Sequence, residues 1–310
     1  MHVFDGRITL EDRPLLESYL DGFDYKTSGL SYTSLFMWRE INKINWEVIG
    51  DYMCIAGVDN YDLSDDNPFM FPPLTRTGDY EPESLRHTIM EAKRRFEEKG
   101  MDFVMKLVPF HMLDILIKAL PGGLCFEADR PNFDYVYDTK DLIELKGRAF
   151  HSKKNHLNYF HANYKYEYSE MTPDDADDAM MFIHEFGERK NLEDPIEREL
   201  LRFEEMAMRD VFDNLSTVGY LSGIIRIDGK IEAFSVGGRI GTKTVVVHIE
   251  KANIEYRGLY QAINNEFCRH MASNVKRINR EEDMGIPGLR KAKLSYNPVK
   301  FIEKYSVNVR

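Results

Sequence analysis

The chain is short of cysteines and of long apolar runs. It has three cysteines, Cys54, Cys125 and Cys268, and no two of them form a C-x-x-C pattern. An odd number of widely spaced cysteines does not indicate a set of structural disulfides. Because free cysteine behaves as a small apolar residue, we predict three buried thiols. The longest apolar runs, 112–120 and 244–249, are far shorter than the roughly 20 residues of a membrane helix. We therefore expect no membrane span.

Targeting and metal-binding patterns are also missing. The first ten residues carry no basic flank followed by an apolar core, so they do not read as a signal peptide. His184-Glu185 is followed by Glu188, where an H-E-x-x-H zinc motif requires histidine. The sequence has no Walker loop and no G-x-S-x-G elbow. These absences predict a cytoplasmic protein without a metal site or a permanently bound cofactor.

Glycine and proline are sparse, with 20 and 12 among 310 residues, and no stretch of them forms a flexible linker. The hydrophobic share of 43% is typical of a globular chain. A chain of this length exceeds the size at which one hydrophobic core usually stops growing. We therefore predict two domains, residues 1–145 and 146–310, that pack on each other.

The net charge of −11 is unevenly distributed. Residues 1–145 carry a net charge of −12, whereas residues 146–310 carry +1. Within the second half, the stretches 146–165 and 286–310 each carry +5. The acidic total opposes binding to duplex DNA, but two basic stretches remain that would suit a local, phosphate-rich ligand.

The pattern of apolar residues, caps and turns predicts a repeated order of elements. In the second half, a strand is followed by two helices, three antiparallel strands, a helix, a strand, a short helix and a final strand. The predicted ranges are 164–170, 172–190, 195–212, 217–227, 230–240, 243–251, 258–273, 275–280, 287–293 and 299–309. The first half follows the same order more loosely. The prediction is an α/β (α+β) fold of two similar domains, each with a mixed, mostly antiparallel sheet flanked by helices.

This element order resembles the GNAT acyltransferase fold, and two segments carry a closer resemblance. Residues 150–160 read FHSKKNHLNYF, and residues 279–298 read NREEDMGIPGLRKAKLSYNP. Because of these segments and the order of elements, nearly the whole chain resembles a bacterial family related to the C-terminal catalytic domain of phosphatidylglycerol lysyltransferases. The resemblance implies two tandem GNAT-like domains. It also implies transfer of an amino acid from aminoacyl-tRNA to an amine or hydroxyl acceptor.

Acyl transfer requires a proton acceptor near the reacting carbonyl, and GNAT folds place one around the end of the third meander strand. Here that strand ends in His248-Ile249-Glu250-Lys251. Period-2 alternation predicts that His248 and Glu250 share a face, with Glu250 as general base and His248 as its helper. The alternative is that Glu250 pairs with Lys251 or Arg257 at a strand end.

Three places are predicted to bind the phosphates of a donor. Arg257 and Gly258 precede a helix whose amides would hold a phosphate, although Tyr260 stands where the coenzyme A motif has a small residue. Lys153 and Lys154 lie among histidines and Tyr159, which would suit a tRNA acceptor end, or they lie on a solvated basic helix. Arg290 and Lys293 share a helical face, where they would bind an anion or pair with nearby acids.

Two functions from different classes remain open. The first is an acyl- or aminoacyltransferase that takes aminoacyl-tRNA or acyl-CoA as its co-substrate and a small molecule or peptide as acceptor. The second is a non-catalytic ligand-binding or regulatory protein on the same scaffold. The basic stretches favour the first function, and the incomplete phosphate motif favours the second.

Overall fold

The computed structural model of the chain describes residues 2–60, 67–190 and 195–310. It divides into two compact units. The first comprises Met1–Asp134 and Ile302–Arg310, and the second comprises Tyr135–Phe301. The predicted division between residues 145 and 146 lies inside the second unit.

The strands of the described residues form two sheets. In chain order they are β1 Gly6–Arg7, β2 Asn45–Ile49, β3 Tyr52–Asp59, β4 Asn67–Met70, β5 Leu74–Thr75, β6 Val104–Pro109, β7 Leu124–Ala128, β8 Asp134–Asp138, β9 Glu167–Ser169, β10 Leu221–Ile227, β11 Lys230–Ile240, β12 Thr244–Ala252, β13 Arg277–Asn279, β14 Lys300–Ile302 and β15 Lys304–Val309. One sheet has the order β1-β2-β3-β4-β6-β15-β7, with β5 beside β3. The other has the order β14-β8-β13-β12-β11-β10-β9.

The α-helices flank these sheets. They are α1 Arg13–Leu20, α2 Tyr32–Trp38, α3 Pro82–Glu98, α4 Phe110–Ala119, α5 Thr139–Glu144, α6 His151–Asn163, α7 Ala176–Lys190, α8 Pro195–Asp213, α9 Leu215–Val218, α10 Leu259–Met271 and α11 Pro287–Leu294. None of the helices within the described ranges is both long and apolar enough to span a bilayer.

In the first unit, α3 shows how local sequence sets an element. The Glu81 carboxylate accepts hydrogen bonds from the amides of Glu83 and Ser84, and Pro82 occupies the first turn, where its missing N–H costs nothing. Helical spacing then buries one face of α3. The buried residues are Leu85, Thr88, Ile89, Ala92 and Phe96.

In the second unit, β10, β11 and β12 form an antiparallel meander, and β13 lies parallel to β12. One face of this sheet packs against α6 and α10 around Phe160, Val247 and Phe267. The other face contacts α7, where the rings of Phe182 and Phe234 meet edge to face. The sheet is therefore covered by helices on both sides, and the strand ends are where polar side chains gather.

The strands β12 and β13 are paired only over a short distance. Their register joins Thr244 to Arg277, Val245 to Ile278 and Val246 to Asn279. After this, β12 continues to Ala252, whereas the chain after Asn279 turns toward β8, with the Arg280 amide donating to the Tyr135 carbonyl. A gap therefore opens between the two strands beyond Val246.

Most predicted elements of the second half lie within a few residues of their observed positions, and β11 has the predicted bounds. Other elements differ. The single predicted strand 299–309 is two strands, because β14 pairs with β8 while β15 pairs with β6 and β7. The edge strand β7 and the short helix α5 were not predicted. Cys54 and Cys268 are buried as expected, but Cys125 is exposed because it lies on the edge strand β7.

An ion pair is fully buried where the two chain segments of the first unit meet. The Lys304 ammonium lies 2.6 Å from the Asp134 carboxylate, and the two residues are 1% and 0% exposed. Asp134 also accepts hydrogen bonds from the amide and the hydroxyl of Ser28, both at 2.8 Å. The pair thus joins the beginning of β15 to the end of the first segment.

We predict that Lys304→Met destabilises the first unit by about 3–5 kcal/mol, because the Asp134 charge is left buried without its partner. Both tryptophans, Trp38 and Trp46, lie in this unit, so urea unfolding followed by tryptophan fluorescence reports on it selectively. The double variant with Asp134→Asn should recover part of the loss.

The matched control is Lys106→Met. Its partner Asp59 lies 2.8 Å away, but the two side chains are 24% and 22% exposed. This change should cost about 1 kcal/mol or less. Equal losses from the two lysine variants would contradict a special role for the buried pair.

Candidate functional site

The end of β12 contains an irregularity at His248. Val236 of β11 pairs with Ile249, and the next residue, Gly237, pairs with Val247, so His248 has no partner on β11. A bulge of this kind shifts the alternation of side chains by one residue. Val247 and Ala252 accordingly both belong to the core on the α10 side.

The two residues that were predicted to act together have different partners. Glu250 lies on the α10 side, where Asn264 of α10 donates to its Oε2 at 3.1 Å. The imidazole of His248 lies 2.7 Å from the Glu281 carboxylate, and its side chain is fully buried. The roles of Glu250 as general base and of His248 as its helper stay a prediction.

Glu250 is paired across the gap between β12 and the chain that follows β13. Nη2 of Arg280 donates to Oε1 of Glu250 at 2.7 Å, and the two side chains are 14% and 8% exposed. Burial lowers the pKa of Arg280, but the Glu250 carboxylate and nearby tyrosines raise it, and the net pKa lies above its ordinary value. The partner of Glu250 is thus Arg280, and neither Lys251 nor Arg257. Lys251 instead pairs with Glu204.

Aromatic rings surround the Arg280 guanidinium. It lies 5.0 Å from the ring centre of Tyr296 and 5.9 Å from that of Tyr137. The Lys153 ammonium lies 4.5 Å from the same Tyr296 ring. Burial and the positive charge of Arg280 lower the pKa of Lys153. Contacts thus run from Lys153 through Tyr296, Arg280 and Glu250 to Asn264.

The loop after β13 is held by Asp283, which is fully buried. Arg290 donates two hydrogen bonds of 2.8 Å to its carboxylate, and Tyr135 and the Gly285 amide donate as well. Burial raises the pKa of Asp283, but these donors outweigh it and lower the pKa to about 2. The loop that carries Arg280 and Glu281 is therefore rigidly supported.

Arg290 and Lys293, both predicted to bind a donor phosphate, take part in this internal support. Arg290 is paired with Asp283. Lys293 donates to the carbonyls of Arg280 and Glu282 and is 9% exposed. Both residues therefore support the loop, Arg290 through the Asp283 carboxylate and Lys293 through backbone carbonyls.

Gly258 marks a close approach between α6 and the beginning of α10. Its φ is +91°, and a Cβ atom there would lie 2.2 Å from the His156 carbonyl oxygen. Arg257, the preceding residue, places its guanidinium 4.4 Å from the ring centre of Tyr159 on α6. Lys154 donates to the Glu144 carbonyl at 3.5 Å. The predicted residues of the stretches 146–165 and 256–258 are thus brought together.

Sequence reasoning missed Arg280, Asn264 and Tyr296. Asn264 and Tyr296 lie far from Glu250 in the sequence, and only the packing of α10 and the segment after α11 brings them near. Arg280 offered one signal, since it is the last residue of the predicted strand 275–280. Residues 2–60, 67–190 and 195–310 contain no group of three or more His, Cys, Asp or Glu side chains placed to hold a metal ion.

The family model that matches this chain is that of the phosphatidylglycerol lysyltransferase C-terminal region, and it covers residues 22–308. The chain belongs to this family. The predicted resemblance is confirmed, and family membership places the chain in an acyl- and aminoacyltransferase-like group.

Relatives of this lysyltransferase-family chain include proteins of unknown function. A structure from Bacteroides thetaiotaomicron, described as a conserved protein of unknown function, is 32% identical, with 97% of this chain and 98% of that chain covered and a TM-score of 0.87. An uncharacterised protein of Mycoplasmoides gallisepticum is 28% identical over 180 residues. That match spans 57% of this chain and 56% of the relative, so it leaves much of the relative's length uncovered.

More distant structures bear on the fold of this family member. The L-PGS structure from Bacillus licheniformis is 12% identical, covers 100% of this chain and 94% of its own, and has a TM-score of 0.66. A tandem GNAT protein from the clavulanic acid biosynthesis pathway is 9% identical, covers 96% of both chains and has a TM-score of 0.53. The predicted tandem GNAT-like fold is confirmed.

We predict that Gly258→Ala destabilises the second unit by about 2 kcal/mol more than Gly147→Ala. Both glycines have left-handed φ values, +91° and +88°, so both variants incur the cost of a side chain in that region. Only at Gly258 would the new Cβ overlap a carbonyl, and nothing lies within 4 Å of the Cβ position at Gly147. Thermal unfolding followed by circular dichroism measures the difference, and equal losses would contradict the close approach.

We predict that Asp283→Asn lowers stability at pH 7 by about 2 kcal/mol, since its lowered pKa reflects preferential stabilisation of the carboxylate in the folded chain. A depressed folded-state pKa contributes stability above the unfolded-state pKa of about 3.9, and this contribution is lost as the pH falls toward 2. Urea unfolding of both proteins between pH 7 and pH 2 should show a shrinking difference. If the difference in stability between the two proteins does not change with pH, the loss is due to packing or hydrogen-bond geometry and not to the charge of Asp283.

Proposed function

We propose that this chain transfers an acyl or aminoacyl group from an activated donor to an amine or hydroxyl of a small molecule or peptide, at the gap between β12 and β13. The observation that carries the proposal is the Glu250 carboxylate at this gap in a member of the lysyltransferase family. The gap places one carboxylate and two cations, Lys153 and Arg280, around the same aromatic ring.

In the proposed reaction, Glu250 accepts the proton of the attacking amine or hydroxyl. The nucleophile forms a new bond to the donor carbonyl carbon, the bond from that carbon to the leaving oxygen or sulfur breaks, and the proton passes to the leaving group. Arg280 and Asn264 each donate to one oxygen of Glu250, which fixes the carboxylate in place. His248 contributes indirectly by holding Glu281, the neighbour of Arg280.

Of the two predicted donors, aminoacyl-tRNA is favoured over acyl-CoA. The phosphate motif of coenzyme A sites is incomplete here, since Tyr260 replaces a small residue and Arg257 directly precedes Gly258. We propose Lys153, Lys154, Arg257 and Gly258 as the donor-binding residues.

A specific observation also favours the non-catalytic alternative. Both oxygens of Glu250 already accept a hydrogen bond, one from an arginine, and a carboxylate engaged in this way is less available as a base. On this second proposal the chain binds the donor or a related anion without turning it over. Donor binding without transfer would distinguish it from the first proposal.

We predict that Glu250→Gln reduces transfer at least 100-fold, because general-base catalysis contributes about 10²–10⁴-fold. The assay follows radiolabel from a panel of aminoacyl-tRNAs and acyl-CoAs into small acceptors, using the full chain. Thermal-shift measurements with the same donors test binding separately, since a ligand of the native state raises its melting temperature.

The matched control is Glu204→Gln. Glu204 of α8 lies 2.6 Å from Lys251, which is on β12 beside Glu250, and the two side chains are 20% and 24% exposed for Lys251 and Glu204. This control should retain transfer. Transfer at an unchanged rate in Glu250→Gln would refute Glu250 as the base, and failure of the chain to bind any donor at micromolar concentration would refute the transferase.

A further inference from the structure

The corner where α6 meets the beginning of α10 presents an arginine stacked on a tyrosine at the surface. The Arg257 guanidinium lies 4.4 Å from the ring centre of Tyr159, and the Tyr159 side chain is 37% exposed. In the part of the chain that the structure describes, no carboxylate lies within 4 Å of Arg257. Its charge and the outer face of its guanidinium are thus available to a ligand.

This pair is held in place from both sides. Tyr159 lies on α6 between Leu157 and Phe160, which are 1% and 0% exposed. On the other side, Asn253 clamps the turn that leads to Arg257. Its side chain donates to Glu232 at 2.8 Å and accepts from the Glu255 amide at 3.1 Å. The close approach at Gly258 then fixes the distance between the two elements.

Further aromatic and apolar side chains border the pair. Tyr164 lies 6.4 Å from Tyr159 between ring centres, and Tyr256 lies 5.2 Å from Tyr164. Ile254, in the same turn as Arg257, is 72% exposed. Lys153 and Lys154 lie on other faces of α6, and their ammonium groups are at the Tyr296 ring and the Glu144 carbonyl. A flat cation on an aromatic ring is an arrangement that stacks an unpaired base, and the cation itself attracts the phosphate.

We propose that Tyr159 and Arg257 form a platform for the unstacked adenine base of a nucleotide, with the positive charge of Arg257 attracting its phosphate. The platform follows β12 directly, since only the turn 253–256 separates Ala252 from Arg257. The identification of the nucleotide as part of the donor rests on the proposed function. Adenosine is common to the end of a tRNA and to coenzyme A, so the shared chemistry is an adenine nucleotide.

The test uses the full chain and a fluorescein-labelled RNA that ends in unpaired cytidine-cytidine-adenosine, followed by fluorescence anisotropy. AMP should compete with the RNA, and ribose 5-phosphate, which lacks the base, should compete at least tenfold more weakly. A blunt duplex of the same sequence should bind at least tenfold more weakly than the RNA, because its bases are already stacked. Coenzyme A as a competitor distinguishes the two sources of adenosine.

Variants test the two halves of the platform. Tyr159→Ala should weaken RNA binding about tenfold or more, the scale expected for one stacked base, whereas Tyr159→Phe should keep binding within about threefold. Arg257→Lys keeps the charge but loses the flat guanidinium, and it should weaken binding about fivefold or more. Phe126→Ala and Arg239→Lys change an exposed aromatic and an exposed arginine elsewhere, and they should leave binding unchanged.

The result that overturns the platform is equal competition by AMP and ribose 5-phosphate, the absence of nucleotide binding, or wild-type binding by Tyr159→Ala. These failures are separable from those of the proposed function. Base-dependent binding without transfer would support the platform and contradict the transferase. Transfer with an unchanged KM for the donor in Tyr159→Ala would support the transferase and contradict the platform.

Discussion

The separation of β12 from β13 after Val246 is the feature on which the candidate site depends. Inside a sheet, a strand without a neighbour leaves backbone groups and space that the fold must accommodate. Here the bulge at His248 turns Glu250 toward α10, and Arg280 crosses the gap to meet it. A buried ion pair of this kind contributes little net stability compared with apolar packing, so its position is better explained by what it holds in place.

Two buried polar residues make the surroundings of the gap rigid. Asp283 fixes the loop that carries Arg280 and Glu281, and Asn253 fixes the turn that carries Arg257. Each residue bonds both to its own loop and to a neighbouring element, Asp283 to Tyr135 and Arg290, and Asn253 to Glu232, which keeps irregular backbone ordered next to a strand end. The functional candidates therefore lie on scaffolding that is built from other charged and polar residues, among them Arg290 and Lys293.

The acidic net charge of the chain is compatible with an anionic ligand at this position. Charges act mainly within a Debye length of about 8 Å at physiological salt, so exposed charges farther from a ligand than this are largely screened. Lys153 and Arg280 lie beside the ring of Tyr296 at the gap, and Arg257 lies on Tyr159 where α6 meets the beginning of α10. These cations act on a ligand close to them, whereas the total of −11 describes the whole chain.

The sequence by itself determined the meander, most of the helices and the tandem fold, because turns such as Asp228-Gly229 and caps such as Thr172-Pro173 act within a few residues. It also identified the end of β12 and the stretch around Lys153. Only the tertiary structure decided which residues contact one another at the site. The bulge at His248 depends on pairing with β11, Arg280 meets Glu250 because two strands diverge, and residues 299–309 divide between two sheets. Local patterns do not encode such contacts, since each joins segments that are distant in the chain.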